Sequence, residues 1–276
     1  MKNNQKTLLL ALILAVILFS TACGQTGPAQ NSQESNTSEP VKEEASVSLT
    51  ISAAASLKEA MDEIQTIYAE EKPHVTLTYN FGSSGSLQQQ IEQGAEVDIF
   101  ISAAAKQVDA LQEEGLIEED TRKSLLENKI VLIVPKDDVL VTDFDDLASD
   151  NVKTFALGET KSVPAGQYAE EVLNYLNLMD TVKPKAVFGK DVKAVLAWVE
   201  TGNADAGMVY ETDAKVSDKV KVVAKAPEGS HKPIIYPAAV IKESKNMDAA
   251  KDYLDFLCSD KAKSIFEKYG FAFVAK

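Results

Sequence analysis

Ser56 and Ser84 each stand where a short alternating strand gives way to a helical segment. Ser56 lies in Ala53-Ala54-Ala55-Ser56-Leu57, and Ser84 in Phe81-Gly82-Ser83-Ser84-Gly85-Ser86-Leu87. A hydroxyl beside the unpaired N–H groups of a helix N-terminus holds an anion without any catalytic side chain. Two such turns, close in sequence, suggest one small anion gripped from two sides. Two later turns have the same character. Val163-Pro164-Ala165-Gly166 joins a proline suited to the first helical position to a glycine that permits close backbone approach, and it presents the Ala165 amide. Gly189-Lys190-Asp191-Val192 offers Asp191 as a helix cap and the Val192 N–H as a free donor. Tyr210, closing Gly207-Met208-Val209-Tyr210, adds a phenol. Taken singly, each of these is an ordinary cap, turn or packing residue. Their order and spacing give them joint force.

The elements that must position these turns follow from hydropathy. Val47, Leu49 and Ile51 alternate with polar residues, as do Val75, Leu77 and Tyr79; both read as strands. Leu57, Met61, Ile64 and Tyr68 recur at helical spacing, and Leu87 and Ile91 share one face of a short helix. Val97 to Ile101 is an apolar strand, and the helical face begun by Val108 and Leu111 is closed by Gly115. Ile130 to Val134 is strongly β-branched and ends at Pro135. A fresh set of units follows: a strand at Phe155-Ala156-Leu157, a helix through Tyr168, Val172 and Leu176, and another through Val192, Val195, Leu196 and Val199 with Gly202 just beyond it. Ala206 to Val209 and Ile234 to Val240 are extended, and Ala250, Tyr253, Leu254, Phe256 and Leu257 mark a tail helix. The rhythm is that of a parallel α/β sheet. It predicts two α/β lobes, joined near residues 130 and 234, with a ligand cleft between them.

The N-terminal segment has a different purpose. A basic start precedes twelve apolar residues, Leu8 to Phe19. A spanning helix needs about 20, so this reads as the core of a signal peptide. Ser20-Thr21-Ala22-Cys23 resembles a lipobox, with Ser20 where leucine is usual, and predicts cleavage before Cys23 and lipid attachment to it. The polar stretch that follows cannot bury enough surface to offset its ordering entropy and reads as a solvated tether.

The remaining body spans residues 47–276, enough for a substantial core and two lobes. A net charge of −14 argues against nucleic acid as a partner. An anionic ligand therefore requires donors aimed inward at one site, with the acidic residues on solvated faces. The single arginine, Arg122, lies in none of the turns, which disfavours bidentate recognition of phosphate or carboxylate. His74 and His231, the two histidines, read as surface loop residues outside any triad pattern, so serine-dependent hydrolysis is a weak alternative. Acidic runs such as Asp143 to Asp146 read as solvated faces, with no motif for a metal or nucleotide enzyme. Cys258, the other cysteine, reads as a small buried residue of a late helix.

The turns around Ser56, Ser84, Pro164, Val192 and Tyr210, with Asp98-Ile99-Phe100-Ile101-Ser102-Ala103 and Phe266 to Phe271, resemble the periplasmic molybdate-binding protein of an ABC transporter. Thr160 stands where that family often has proline. The resemblance covers residues 47–276 and implies a two-lobed periplasmic-binding-protein fold, type II-like, that is not an enzyme. It implies that Ser56 and Ser84 from one lobe, and Ala165, Val192 and Tyr210 from the other, hold molybdate or tungstate as an oxyanion. No cofactor and no bare metal cation is expected. The expected organisation is a lipoprotein signal peptide over 1–22, lipidated Cys23 and tether over 23–46, lobe 1 over 47–128 and 235–276, and lobe 2 over 129–234. The implied partner is the membrane permease of an ABC importer, and the implied form is a monomer, extracytoplasmic and lipid-anchored to the cell membrane. Another tetrahedral oxyanion such as sulfate is the alternative ligand. An all-donor site suits a fully ionised dianion, which presents only acceptors.

Overall fold

The computed structural model describes residues 45–275. The expected signal peptide, Cys23 and nearly all of the tether lie outside the described residues. In chain order the first stretch runs β1 (Val47–Ala54), α1 (Lys58–Glu71), β2 (Val75–Gly82), α2 (Ser84–Glu92), β3 (Ile99–Ile101), α3 (Ala105–Glu113) and β4 (Lys123–Asn128). The middle stretch runs β5 (Ile130–Pro135), β6 (Phe155–Gly158), α4 (Pro164–Tyr175), α5 (Met179–Val182), β7 (Ala186–Gly189), α6 (Val192–Glu200), β8 (Ala206–Tyr210), α7 (Glu211–Lys215) and β9 (Val220–Lys225). The chain closes with β10 (Ile234–Val240), α8 (Met247–Leu257), α9 (Asp260–Lys268) and β11 (Ala272–Phe273).

Two sheets result. One has the order β11-β4-β10-β3-β1-β2 and the other β7-β6-β8-β5-β9. The chain passes from the first sheet to the second between Asn128 and Ile130, and returns between Lys225 and Ile234. The molecule is thus a mixed α/β, two-lobed fold. The sheets are mixed, not parallel as the strand–helix rhythm suggests. β1 is parallel to β2 and β3, and β6 to β7 and β8, because helical crossovers join them. β10 runs antiparallel to both β3 and β4, and β5 to both β8 and β9. These strands follow the two passages between sheets, where no helix reverses the chain. Periodicity reports which face of a strand is buried, not its direction.

Burial explains the remaining elements. Ile130 to Val134 are fully buried on β5, which lies inside its sheet. α6 buries Val192, Val195, Leu196 and Val199, the expected helical stripe, and α8 buries Ala250, Tyr253, Leu254 and Leu257 but leaves the expected Phe256 half-buried at the edge of its stripe. Gly115 and Gly202 take positive φ (70° and 69°) just beyond α3 and α6. The extended segment near Val97 is shorter than expected, with only Ile99–Ile101 paired. Pro237 sits within the interior strand β10, where a missing N–H is normally excluded. The register shifts between Tyr236 and Pro237, and this irregularity accommodates it. β4, β7, β9 and β11 carry no signal strong enough for hydropathy alone, whereas α9, whose buried Ala262, Ile265 and Phe266 share one face, carries a helical pattern that was not anticipated. β7 and β9 hold few buried residues, and β11 pairs two residues only.

Candidate functional site

β1, β2, β6 and β7 end at Ala54, Gly82, Gly158 and Gly189, and the chain beyond each turns into a helical segment. The four turns converge. Ser56, Ser84, Ala165, Val192 and Tyr210 all line one small cavity, with Ala55, Ser83, Ala103, Val163, Pro164 and Asp191 around them. The first two come from the six-stranded side and the other three from the five-stranded side. All five are buried. A larger groove of about 400 Å³ lies at the opposite end of β1, around Asp98, Ser244 and Asn246. Its polar groups are committed to one another: Ser244 Oγ and Asn246 Nδ2 donate to Asp98 Oδ1, and the Thr50 N–H donates to Asp98 Oδ2. The small cavity, by contrast, keeps donors to spare.

The turn around Ser84 shows how local chemistry sorts three serines. Ser83 is the N-cap of α2 and accepts from the Ser86 N–H, while its own hydroxyl donates to Ser86 Oγ at 2.9 Å. Its proton is therefore committed. Ser84, the first residue of α2, accepts the Ala103 N–H at 3.0 Å. That bond uses a lone pair and leaves the Ser84 proton free for the cavity.

On the other side, Pro164 occupies the first turn of α4 with no N–H to lose, and Ala165 follows it. Gly158 and Gly166 allow this turn to close: a Cβ on Gly166 would lie 2.1 Å from the Gly158 carbonyl oxygen. Asp191 caps α6, accepting the Ala194 N–H at 2.8 Å. Its charge is thereby spent on the helix, and Val192, at the first position, keeps an N–H with no intrahelical acceptor. Tyr210 ends β8. Its ring is nearly sealed at 1% exposure, and its hydroxyl has no hydrogen-bond partner. A buried hydroxyl without a partner is costly, and here it faces the cavity. Burial, followed by the nearby Tyr236, holds the Tyr210 phenol well above its ordinary pKa, so it remains a donor.

Tyr236 and Asn128 are the residues that sequence reasoning missed. Ser56 Oγ lies 2.9 Å from the hydroxyl of Tyr236, which is fully buried on β10. The Tyr236 ring also meets Tyr210 edge-on, with centroids 5.8 Å apart. Asn128, the last residue of β4, donates to Tyr236 Oη at 3.2 Å. Tyr236 was visible only as a strand residue, Asn128 fell in no predicted element, and no motif marks either. No lysine, arginine or histidine lines the cavity. His231 lies in the loop between β9 and β10, half-buried, with its ring edge-on to Tyr168. Among the described residues, no group of three or more His, Cys, Asp or Glu is arranged to hold a metal ion. Cys258 is half-buried, and burial pushes its thiol pKa up.

This arrangement can grip a small anion with neutral donors alone. The family model described as bacterial extracellular solute-binding protein matches residues 49–272. The molybdate-binding protein ModA of Haemophilus influenzae is 42% identical over 234 residues, covering 83% of this chain and 91% of that one. A solved substrate-binding domain from Clostridium difficile is 55% identical, with a TM-score of 0.65, over 83% of this chain and 100% of that chain. The Azotobacter vinelandii periplasmic molybdate-binding protein has the same fold, with a TM-score of 0.75 at 23% identity, over 81% of this chain and 98% of that one.

Proposed function

Because the chain belongs to the bacterial extracellular solute-binding protein family, we propose that it captures molybdate between its lobes and delivers it to an ABC importer. The H. influenzae relative is named for molybdate binding, and the C. difficile domain for a molybdenum ABC transporter. The observation that carries the reading in this chain is the sealed, partnerless hydroxyl of Tyr210. It converges with Ser56, Ser84 and the starts of α4 and α6 on one cavity.

Ser56 and Ser84 donate through their hydroxyls, Ala165 and Val192 through their amides, and Tyr210 through its phenol. These donors suit a tetrahedral dianion, whose oxygens only accept. A neutral cradle also avoids burying a cation, whose desolvation would offset much of its attraction. Tungstate, nearly the same in shape and charge, fits the same donors. Residues 47–128 with 235–276 form the lobe that supplies the serines, and 129–234 the lobe that supplies the other three. The leader is a lipoprotein signal peptide, Cys23 carries the lipid, and the tether holds a monomeric body off the outer face of the membrane.

Competitive calorimetric titration of the body with molybdate, tungstate, sulfate and phosphate tests the reading. Tight binding of molybdate and tungstate, with sulfate and phosphate far weaker, is expected. Preference for sulfate or phosphate, or no oxyanion binding, overturns it.

A further inference from the structure

We infer that Asn128 and Tyr236 set the direction of the Ser56 hydroxyl, so that its proton points at the bound oxyanion; this rests on the molybdate reading above. A serine hydroxyl both donates and accepts. Beside a dianion only one of its two orientations is useful, since the other offers lone pairs to negative charge. Something must decide between them, and the bonds behind Ser56 do so.

The argument starts at a group that cannot turn round. The backbone N–H of Lys129 donates to the Asn128 side chain at 2.8 Å, so the atom there is the carbonyl Oδ1. The Asn128 Nδ2 must then face the other way, with two protons. One goes to Thr212 Oγ1 at 2.9 Å and the other to Tyr236 Oη at 3.2 Å. Tyr236 thus receives a proton and has one of its own to place. Ser56 Oγ, at 2.9 Å, is its remaining close partner. Tyr236 donates to Ser56, and the Ser56 proton is left for the cavity that Ser56 lines. Three of the four groups, Thr212, Tyr236 and Ser56, are buried, which limits the water that would otherwise scramble the direction, while Asn128 is half-buried at the rim of a groove.

The placement of these residues matters as well. Asn128 ends β4 at the first passage between the sheets, Tyr236 lies on β10 just after the second, and Thr212 follows the donor Tyr210. The polarity of a donor on one lobe is therefore fixed by groups at both crossings. Asn128 and Tyr236 are positioning residues, acting through Ser56.

Calorimetric titrations with molybdate on Ser56→Ala, Asn128→Asp, Tyr236→Phe and the two double variants with Ser56→Ala provide the test. Asn128→Asp keeps the shape and still accepts from Lys129, but it offers Tyr236 an acceptor in place of a donor. Tyr236 then turns its proton to residue 128 and draws the Ser56 proton away from the ligand. Affinity should fall about tenfold or more, the size of a lost hydrogen bond to a charged group. In the Ser56→Ala background the same change should cost less than about twofold, because the hydroxyl it reorients is gone. Tyr236→Phe removes both bonds but leaves Ser56 free to face the anion, so it should cost less than Asn128→Asp.

A support role without direction predicts the reverse ranking, with Tyr236→Phe the more damaging, and that result overturns the inference. An undiminished effect of Asn128→Asp in the Ser56→Ala background means simple charge repulsion and overturns it too. If Asn128→Asp does not fold, Tyr236→Phe alone decides: a loss equal to that of Ser56→Ala refutes the relay, and a clearly smaller loss supports it. Wild-type protein that binds no molybdate overturns the functional reading and the relay together. Normal wild-type binding with the wrong ranking overturns the relay alone.

Discussion

Lys193, the second residue of α6, reaches from one lobe to Glu59 on α1 of the other, with Nζ 2.8 Å from Oε2. It lies beside Val192, so the pair closes over the edge of the proposed oxyanion site. Asp213 on α7, fully buried, holds the same ammonium at 3.0 Å. Burial alone would lower the Lys193 pKa, but the Asp213 charge and the Glu59 hydrogen bond outweigh it and the net shift is upward. Burial raises the Asp213 pKa, and Lys193 opposes that rise.

These two carboxylates make different predictions. Glu59 is partly exposed, so its pair is discounted for solvent and stabilises closure by about 1 kcal/mol. Glu59→Gln should weaken molybdate about fivefold, mainly through faster release, with little change in melting temperature. Lys193→Met instead strands a buried acid and should destabilise the fold by about 3 kcal/mol or more. Stopped-flow release and thermal melts separate the two. An unchanged release rate in Glu59→Gln means the pair is not part of closure.

Gly85 gives a steric test of the same closed state. Its N–H donates to the Ser162 carbonyl across the cleft at 2.9 Å, and a Cβ there would lie 2.5 Å from that oxygen. Overpacking of this kind costs about 1–3 kcal/mol, so Gly85→Ala should weaken molybdate about five- to a hundredfold. Small-angle scattering should show the liganded variant more open than wild type. Equal affinity and equal compaction would refute the contact.

Tyr210→Phe keeps the ring packing and deletes the donor. A lost hydrogen bond to a charged group costs about 1.5–3 kcal/mol, or roughly ten- to a hundredfold in affinity. Val192→Pro deletes the amide at a helix position that tolerates proline and should act in the same direction. If both variants fold and titrate molybdate like wild type, the five-donor site is wrong.

Alkaline pH should destabilise the fold through its tyrosines. Burial holds Tyr210, Tyr236 and Tyr253 well above the ordinary tyrosine value, and pushes Tyr168 up to about 12. In the unfolded chain each ionises near about 10. Below that pH both states keep their protons and this contribution to stability is complete. Above it the unfolded state loses protons that the folded state retains, and stability falls as pH rises through the folded values. Melting temperature should drop above about pH 10, and less steeply in Tyr210→Phe. Tyrosinate absorbance from these residues should accompany unfolding rather than precede it.

Cys23→Ala should move the full-length protein from the membrane fraction to the soluble one. Retention that still requires detergent argues against the lipid anchor.

The four turns that line the cavity were legible because their signals are local. Pro164 at a helix start, Asp191 as a cap and Ser84 beside its glycines need only a few neighbours to define their chemistry. Strand direction was not, since β10 and β5 have the same apolar pattern whichever way they run. The sequence pointed to Ser84 through its turn, but the reason that sets Ser84 apart from Ser83 and Ser86 is tertiary. It depends on which proton is already committed, and the Ala103 N–H that Ser84 accepts arrives from the turn after β3.

The sequence by itself determined the helix starts, their dipoles and the absence of arginine from every candidate turn, and hence pointed to a site of hydroxyl and amide donors for an anion. Tertiary structure decided which way those donors point and what closes over them. Ser56 and Tyr236 are 180 residues apart, and Glu59 and Lys193 are 134 apart. Hydrogen bonds and ion pairs act over a few ångströms, so only the folded chain brings such partners within range.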